Sequence, residues 1–228
     1  MSLAGKGAVA IWHDIAPEGR ADFYHWHGAE HMPERAAITG FLRGRRYVAL
    51  DAAPEYFNLY ETQSRATTTG PEYLARLNGP TPLTRATAKH FRNVSRSLCA
   101  VAGSFGHGQG GLIATLRYAI DDRQAPMHER RMVDDALPAF MQSPGLAGCH
   151  LLVADAAASA VETAEKKLRV EKNLIPRWIV LIEGWNDVEP FTTLCRKLVA
   201  DPVFDVAAPT PVLGIYRLQN SRSHFDAL

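Results

Sequence analysis

Cysteine is scarce in this chain of 228 residues: Cys99, Cys149 and Cys195 stand far apart, and no C-x-x-C pair occurs. That spacing excludes a zinc ribbon, a dithiol redox motif and a disulfide scaffold, and sets the expectation of a reduced, cytoplasmic setting. An excess of one charge is also missing, because 25 Lys and Arg against 24 Asp and Glu leave a net charge of +1. No field for drawing in nucleic acid or an anionic membrane is expected. No apolar run reaches the roughly 18 residues of a membrane span, and the opening MSLAGKGAVAIWHDI lacks the apolar core of a secretory leader. What is present, 46% hydrophobic and 21% charged residues, is a globular composition.

The same order of local signals occurs twice. GAVAIWHDIA (7–16) aligns with LIATLRYAID (112–121) at an offset of 105, which also pairs Pro33 with Pro138, Gly40 with Gly145 and Glu30 with Asp135. Asp51 and Asp155 match at 104, and Glu61 with Glu183 and Pro80 with Pro202 at 122, so the second half holds 18 extra residues. They lie in an alanine-rich, charged stretch near 156–173, expected to form an inserted surface helix. Periodicity and turn residues read each half as strand, helix, strand, strand, helix, strand. This is the ferredoxin-like β-α-β-β-α-β unit. An α+β fold is expected, with a first repeat over 1–105 and a second over 106–228, packed sheet to sheet as an α+β barrel. AGSFGHGQGG (102–111) reads as a flexible linker; because it leads into a strand rather than a helix, it is not a dinucleotide fingerprint.

The densest chemistry lies in HWHGAEHMPER (25–35), which contains His-x-x-Glu-His. On a helix, Phe23, His27 and His31 form one stripe with Trp26 and Glu30 beside it, while His25 points away. Pro33 is expected to end the helix near His31 and Met32, leaving His31 at a C-terminus whose dipole favours imidazolium. A zinc site would need a third ligand, and the residues that follow supply three arginines and no acid before Asp51, so no metal is expected. Acid/base chemistry asks less: His27 or His31 as the proton-transfer group and Glu30 to orient it. Arg43 and Arg45 share a strand face with Phe41 and Tyr47 and could clamp a carboxylate or enolate; a solvated edge strand is the alternative. His13, beside Trp12, is expected to face the sheet surface that becomes the barrel interior, and His128 to be exposed. At the offset of 105, Phe23, Trp26, His27, His31 and Arg35 fall on His128, Arg131, Met132, Ala136 and Phe140. The histidines of the stripe do not persist, which points to one specialised site per chain, in the first half.

FYHWHGAEHMPERAAITGFLRGRRYVAL (23–50), with its aromatic, Glu-His-x-Pro-Glu, Gly-Phe corner and basic strand, resembles the dimeric α+β-barrel superfamily, in its EthD-like and stress-responsive barrel branches. The resemblance covers residues 7–98 well and the second half in outline. Relatives in that superfamily include muconolactone isomerases, cofactor-free quinol monooxygenases, haem-binding enzymes and members with no known reaction, so the resemblance speaks for fold more than for activity. Together with the residues, it implies a cofactor-independent acid/base enzyme, an isomerase, lyase or monooxygenase, acting on a small apolar or aromatic carboxylate-bearing molecule. His27, His31 and Glu30 would be catalytic; Arg43, Arg45, Tyr47, Trp26 and His13 would hold substrate, and the protein would form a homodimer. The alternatives are a non-catalytic barrel that binds a small molecule or assembles, and a haem binder with His27 or His31 as axial ligand.

Overall fold

The computed structural model describes residues 3–169, 171, 173–185, 187–207 and 210–224. The first half runs β1 (Gly7–Ile15), α1 (Arg20–Trp26), α2 (Met32–Ala36), β2 (Phe41–Asp51), β3 (Tyr56–Thr62), α3 (Pro71–Asn78), α4 (Pro82–Ala88) and β4 (Phe91–Gly106). The second runs β5 (Leu112–Tyr118), α5 (Ala125–Arg131), α6 (Leu137–Phe140), β6 (Leu146–Ala154), α7 (Ala156–Ala160), α8 (Ala164–Lys167), β7 (Trp178–Gly184), α9 (Val188–Val199) and β8 (Val212–Ser223). The strands close into an antiparallel barrel in the order β1-β3-β2-β8-β5-β7-β6-β4. The long last strand of each half makes the closure: β4 pairs with β1 and then β6, and β8 with β2 and β5. The halves therefore pair within one chain, and closure removes the open sheet edges that would call for a second one.

Alternation along the strands sorts their side chains into two cores. Ala8, Ala10, Trp12, Tyr47, Phe57, Ile113, Leu181 and Tyr216 fill the interior. There Trp12 stacks on Phe57 at 4.8 Å and donates to Thr115 of the other half at 3.3 Å. The opposite parity, Val9, Ile11, Ile15, Tyr56 and Tyr60, meets the helices of the first half outside the barrel. His13 belongs to this outer set, packed on Phe23, Tyr56 and Phe91. It does not face the interior as expected, because the parity that buries Trp12 inside sends its neighbour out.

Three local expectations are corrected. The segment 102–106 is not linker: it is the end of β4, paired with Gly148–Leu151 of β6. Pro33 does not end the helix, which continues to Ala36 through a π-turn over His27–His31 closed by Met32 N–H to His27 C=O. Proline stands in the first turn after that bulge, where a missing N–H costs little. A matching π-turn spans Met132–Ala136, with Pro138 behind it, and Gly40 (φ 84°) and Gly145 (φ 87°) both adopt the left-handed conformation at the turns that follow. His128 is not exposed; it is buried at 3% and bonded to the Tyr118 hydroxyl at 3.0 Å. The inserted stretch forms α7 and α8, laid over the first half rather than its own; its positions 170 and 172 lie outside the described residues. Among the described residues no helix is long and apolar enough to cross a membrane.

Candidate functional site

The expected site residues fall on two sides of the sheet. His13, Trp26, His27 and His31 come together in a cavity of about 20 Å³ between the first-half helices and the outer face of β1 and β3. Arg43, Arg45 and Tyr47 lie across the sheet from them. A bulge at Leu42, between the pairs Phe41↔Thr62 and Arg43↔Glu61, turns Phe41 outward and the two arginines inward. There they are neutralised rather than solvated or free for a substrate. Arg43 forms a two-pronged bond to Glu61 (2.8 and 2.6 Å), and Arg45 bonds both oxygens of Glu183 (2.8 and 2.9 Å) with its Nε 3.0 Å from Glu61. Glu183 also accepts from the Gly110 N–H at 3.1 Å and lies 3.4 Å from His150. Burial alone pushes the Glu183 carboxyl up, but Arg45 and then His150 more than offset it and hold it down to about 2. The acids matched at the offset of 122 thus tie the halves together through Arg45, a framework role.

Glu30 does not orient His31. Its carboxylate accepts from Thr81 (2.6 Å) and Thr84 (3.2 Å) at the N-terminus of α4, where Thr81 caps the Thr84 N–H, and Trp26 donates to the Thr84 hydroxyl at 3.0 Å. The widened turn sends Glu30 sideways to α4 while His27 and His31 face the sheet.

In the cavity the histidines are buried, and burial is the main reason all three are held neutral. His13 is lowered to about 3, and His27 and His31 well below the ordinary 6.5, with Arg46 and Arg35 respectively adding to the effect. The dipole expectation for His31 therefore fails, because the helix does not end there. One tautomer of His27 follows from its partners. Arg46 Nη1 lies 3.2 Å from Nδ1 and can only donate, so Nδ1 accepts, and the proton sits on Nε2, 3.2 Å from the Tyr60 hydroxyl. The chain Arg46 to His27 to Tyr60 leaves the phenol proton for a guest in the cavity. Burial pushes the Tyr60 phenol up, so that proton is present at neutral pH. Arg46 is clamped in turn by Gln219 (2.8 Å) and by the rings of Phe23 and Tyr24. Gly44, paired with Tyr60 across β2 and β3, gives its ring room: a Cβ there would stand 2.9 Å from it.

Three polar atoms on this cavity's wall, His31 Nδ1, Asn58 Oδ1 and Arg169 Nε, have no hydrogen-bond partner among the described residues. Asn58 Nδ2 donates to His13 at 2.8 Å, which leaves its carbonyl free. A polar cavity of this size holds about one water, and orphaned donors and acceptors are costly unless a guest satisfies them. As it stands the space admits neither a haem nor an aromatic guest, each of which needs far more than the volume of one water, so either would require the lining to move. Nor does His27 fit a zinc ligand, with both ring nitrogens engaged and a guanidinium on one of them. Among the described residues no cluster of three or more His, Cys, Asp or Glu could hold a metal.

Tyr60, Asn58 and Arg46 were not among the expected site residues, nor were Arg35, Glu165 and Arg169 at the mouth. At the offset of 122, Asn58 and Tyr60 fall on Val180 and Ile182. The asymmetry that singled out His27 and His31 marks these two as well. In the second half the corresponding space is filled by Met132, Phe140, Val180 and Ile182, all in one apolar core.

No protein-family model matches the chain, and no curated protein matches it in sequence. Solved structures similar to it include an anthrone oxidase-like protein, 12% identical over 100% of this chain and 98% of that one, with a TM-score of 0.64. A candidate monooxygenase from Fusobacterium nucleatum subsp. nucleatum is 7% identical over 97% and 96% (TM-score 0.56), and another from Lactobacillus acidophilus 9% identical over 96% and 97% (TM-score 0.55). At these identities the likeness is one of fold: over nearly its whole length the chain has the ferredoxin-like α+β barrel architecture of these proteins.

Proposed function

We propose that the chain is an acid/base enzyme that generates an enolate from a small aromatic carbon acid, with the cavity under α1 and α2 as its site. The observation that carries this is the contrast between halves. The helix–sheet space that in the second half is apolar apart from one His128–Tyr118 pair holds His13, His27, His31, Asn58 and Tyr60 in the first, three of whose residues' counterparts are Met132, Val180 and Ile182. Neutral buried histidines with unpartnered atoms weaken a fold, and sites that give up stability in this way are where function is expected. The contrast treats 1–105 and 106–228 as repeats of one unit, a reading supported by the matching π-turns and left-handed glycines.

In this reading His31, unprotonated at neutral pH, takes the proton from carbon. Tyr60, aligned by His27 and Arg46, donates its hydroxyl to the oxygen on which charge develops. Trp26, Phe91 and Tyr73 line the cavity, and a planar body enters between them only when the Glu165 and Arg169 side chains move aside, because the closed space holds about one water. Enolate formation is shared by isomerases, lyases and oxygenases. The neighbours named as an anthrone oxidase-like protein and monooxygenases support the oxygenase branch, in which the enolate itself reduces dioxygen. The test is exchange of solvent deuterium into aryl ketone carbon acids that carry a carboxylate, with anthrone as the uncharged comparison, followed by proton NMR. The protein accelerates exchange, and His31→Leu and Tyr60→Phe each lower the rate by about 10²-fold or more. Unchanged exchange in the folded double variant would end the assignment.

A further inference from the structure

The mouth of the cavity belongs to the other half of the chain. The inserted stretch, which the first half lacks, carries Glu165 on α8 and Arg169 just beyond it, and both line the first half's cavity. The Glu165 carboxylate bridges two guanidiniums, Arg35 Nη2 at 2.7 Å and Arg169 Nη2 at 3.3 Å. Arg35 is 3% exposed and also reaches Glu34 at 3.4 Å; Arg169 stacks over Phe91 and has its Nε orphaned toward the cavity. Arg96, the third guanidinium on this wall, is engaged by the Tyr73 hydroxyl at 2.8 Å. On its other side Arg169 lines an open cleft of about 460 Å³ with Lys166, Lys167, Glu162 and Glu171, of which Lys166 and Glu162 pair at 3.0 Å. The Arg169 side chain thus stands between a small polar cavity and a large cleft, held there by the Glu165 carboxylate, by Asn173 Oδ1 at 3.4 Å and by the Phe91 ring.

The hold is short and local. α8 spans four residues, Ala164–Lys167, capped by Thr163 at 3.3 Å and tied to the first half by Ala164 N–H to Asn78 Oδ1 at 3.1 Å. A helix this short has little stability of its own, so its position depends on such ties. A planar carboxylate is also what two converging guanidiniums recognise best.

We propose that Glu165 is a built-in stand-in for the substrate's carboxylate: an aryl carboxylate entering from the cleft takes its place between Arg35 and Arg169, and α8 moves off the cavity. This rests on the site proposed above and names its substrate class and its gate. The carboxylate clamp expected of Arg43 and Arg45 is thereby assigned to Arg35 and Arg169, whose bound acid sits at the mouth rather than inside the barrel.

The test is calorimetric titration of the full chain with benzoate, with benzamide as the uncharged isostere. Glu165→Gln binds benzoate about tenfold or more tighter than the parent. Benzamide shows no such gain, and adding Arg169→Met removes it. Equal benzoate affinity in the folded parent and Glu165→Gln overturns the proposal, as does an equal gain for benzamide. Should Glu165→Gln fail to fold, the parent decides. Benzoate then speeds tryptic cleavage after Lys166 and Lys167, whereas protection or no change overturns the gate. These readouts do not depend on turnover. Loss of deuterium exchange in His31→Leu with benzoate binding intact, or the reverse, shows which of the two proposals fails.

Discussion

Replacing Arg45 by methionine separates a framework arginine from a substrate clamp. The side chain is fully buried, grips Glu183 with two bonds and touches Glu61, so its removal leaves Glu183 with His150 and one backbone N–H in the barrel interior. Breaking one side of a buried pair typically costs about 3–5 kcal/mol. At roughly 2–4 °C per kcal/mol for a chain of this size, that is a fall in Tm of about 6–20 °C. An independent figure comes from linkage, since Glu183 is held at about 2 against an ordinary 4.5. A depressed carboxyl contributes stability that is present above its unfolded pKa and lost as pH falls through the folded one. The parent should therefore lose on the order of 3 kcal/mol between about pH 4.5 and 2 from this group alone, at about 1.4 kcal/mol per unit. Urea titration at pH 7 gives the first number, and the acid limb of the stability curve gives the second. The double variant Arg45→Met/Glu183→Leu should recover part of the loss, because an apolar pair of similar volume leaves no charge unpaired. A loss below about 1 kcal/mol in Arg45→Met would refute the argument and return the arginine to the list of ligand-binding groups.

The histidine pair should divide. His27→Ala strands Arg46 and Tyr60 and should cost about 1–3 kcal/mol in urea titration, whereas His31→Leu, which removes an orphaned polar atom, should leave stability level or raise it. Because His13, His27 and His31 are held below their ordinary 6.5, the unfolded chain takes up protons that the folded chain refuses. Stability should fall as pH drops below 6.5 and continue toward about 3 for His13, with a slope approaching about 4 kcal/mol per pH unit when all three contribute; equal urea midpoints at pH 7.5 and 5.5 would contradict this. Glu30→Ala should cost about 1 kcal/mol through the loosened α4 N-terminus and leave deuterium exchange within about twofold of the parent, since Glu30 touches α4 rather than the cavity.

Strand and helix order was legible because β1 to β8 each carry an apolar run bounded by turn residues, and the offsets of 105 and 122 placed matching elements in both halves. Side-chain facing was not. A barrel strand covered by helices is apolar on both faces, so GAVAIWHDI has no polar face to fix its phase, and His13 was assigned to the wrong side. In β2 a one-residue bulge separated Phe41 from Arg43, and nothing in FLRGRRY announces it. Pro33 carried a correct local preference that a π-turn overrode, and the cost of that turn falls where His27 and His31 are brought against the sheet. The extra 18 residues were countable in the sequence. Their destination was not, because the bond between Arg35 and Glu165 spans 130 positions and leaves no local trace.

The two halves divide the labour of the fold. The second half keeps its helix–sheet space apolar apart from the mutually bonded His128 and Tyr118 and gains the stability of a filled core, while the first gives up that filling for three neutral imidazoles, an amide and a phenol. Such a loss is tolerable only if something else holds the barrel together, and Arg45 bridging Glu61 and Glu183 joins the halves from within. The second half also reaches back, through α8 and the residues after it, to place Glu165 and Arg169 on the wall of the first half's cavity. Scaffold and linkage thus sit outside the cavity, while the segment at its mouth contributes Glu165 and Arg169 to the lining. That arrangement explains why HWHGAEHMPER alone yields Trp26, His27, His31 and Arg35 of the candidate site and misses Asn58, Tyr60, Glu165 and Arg169, which come from other elements.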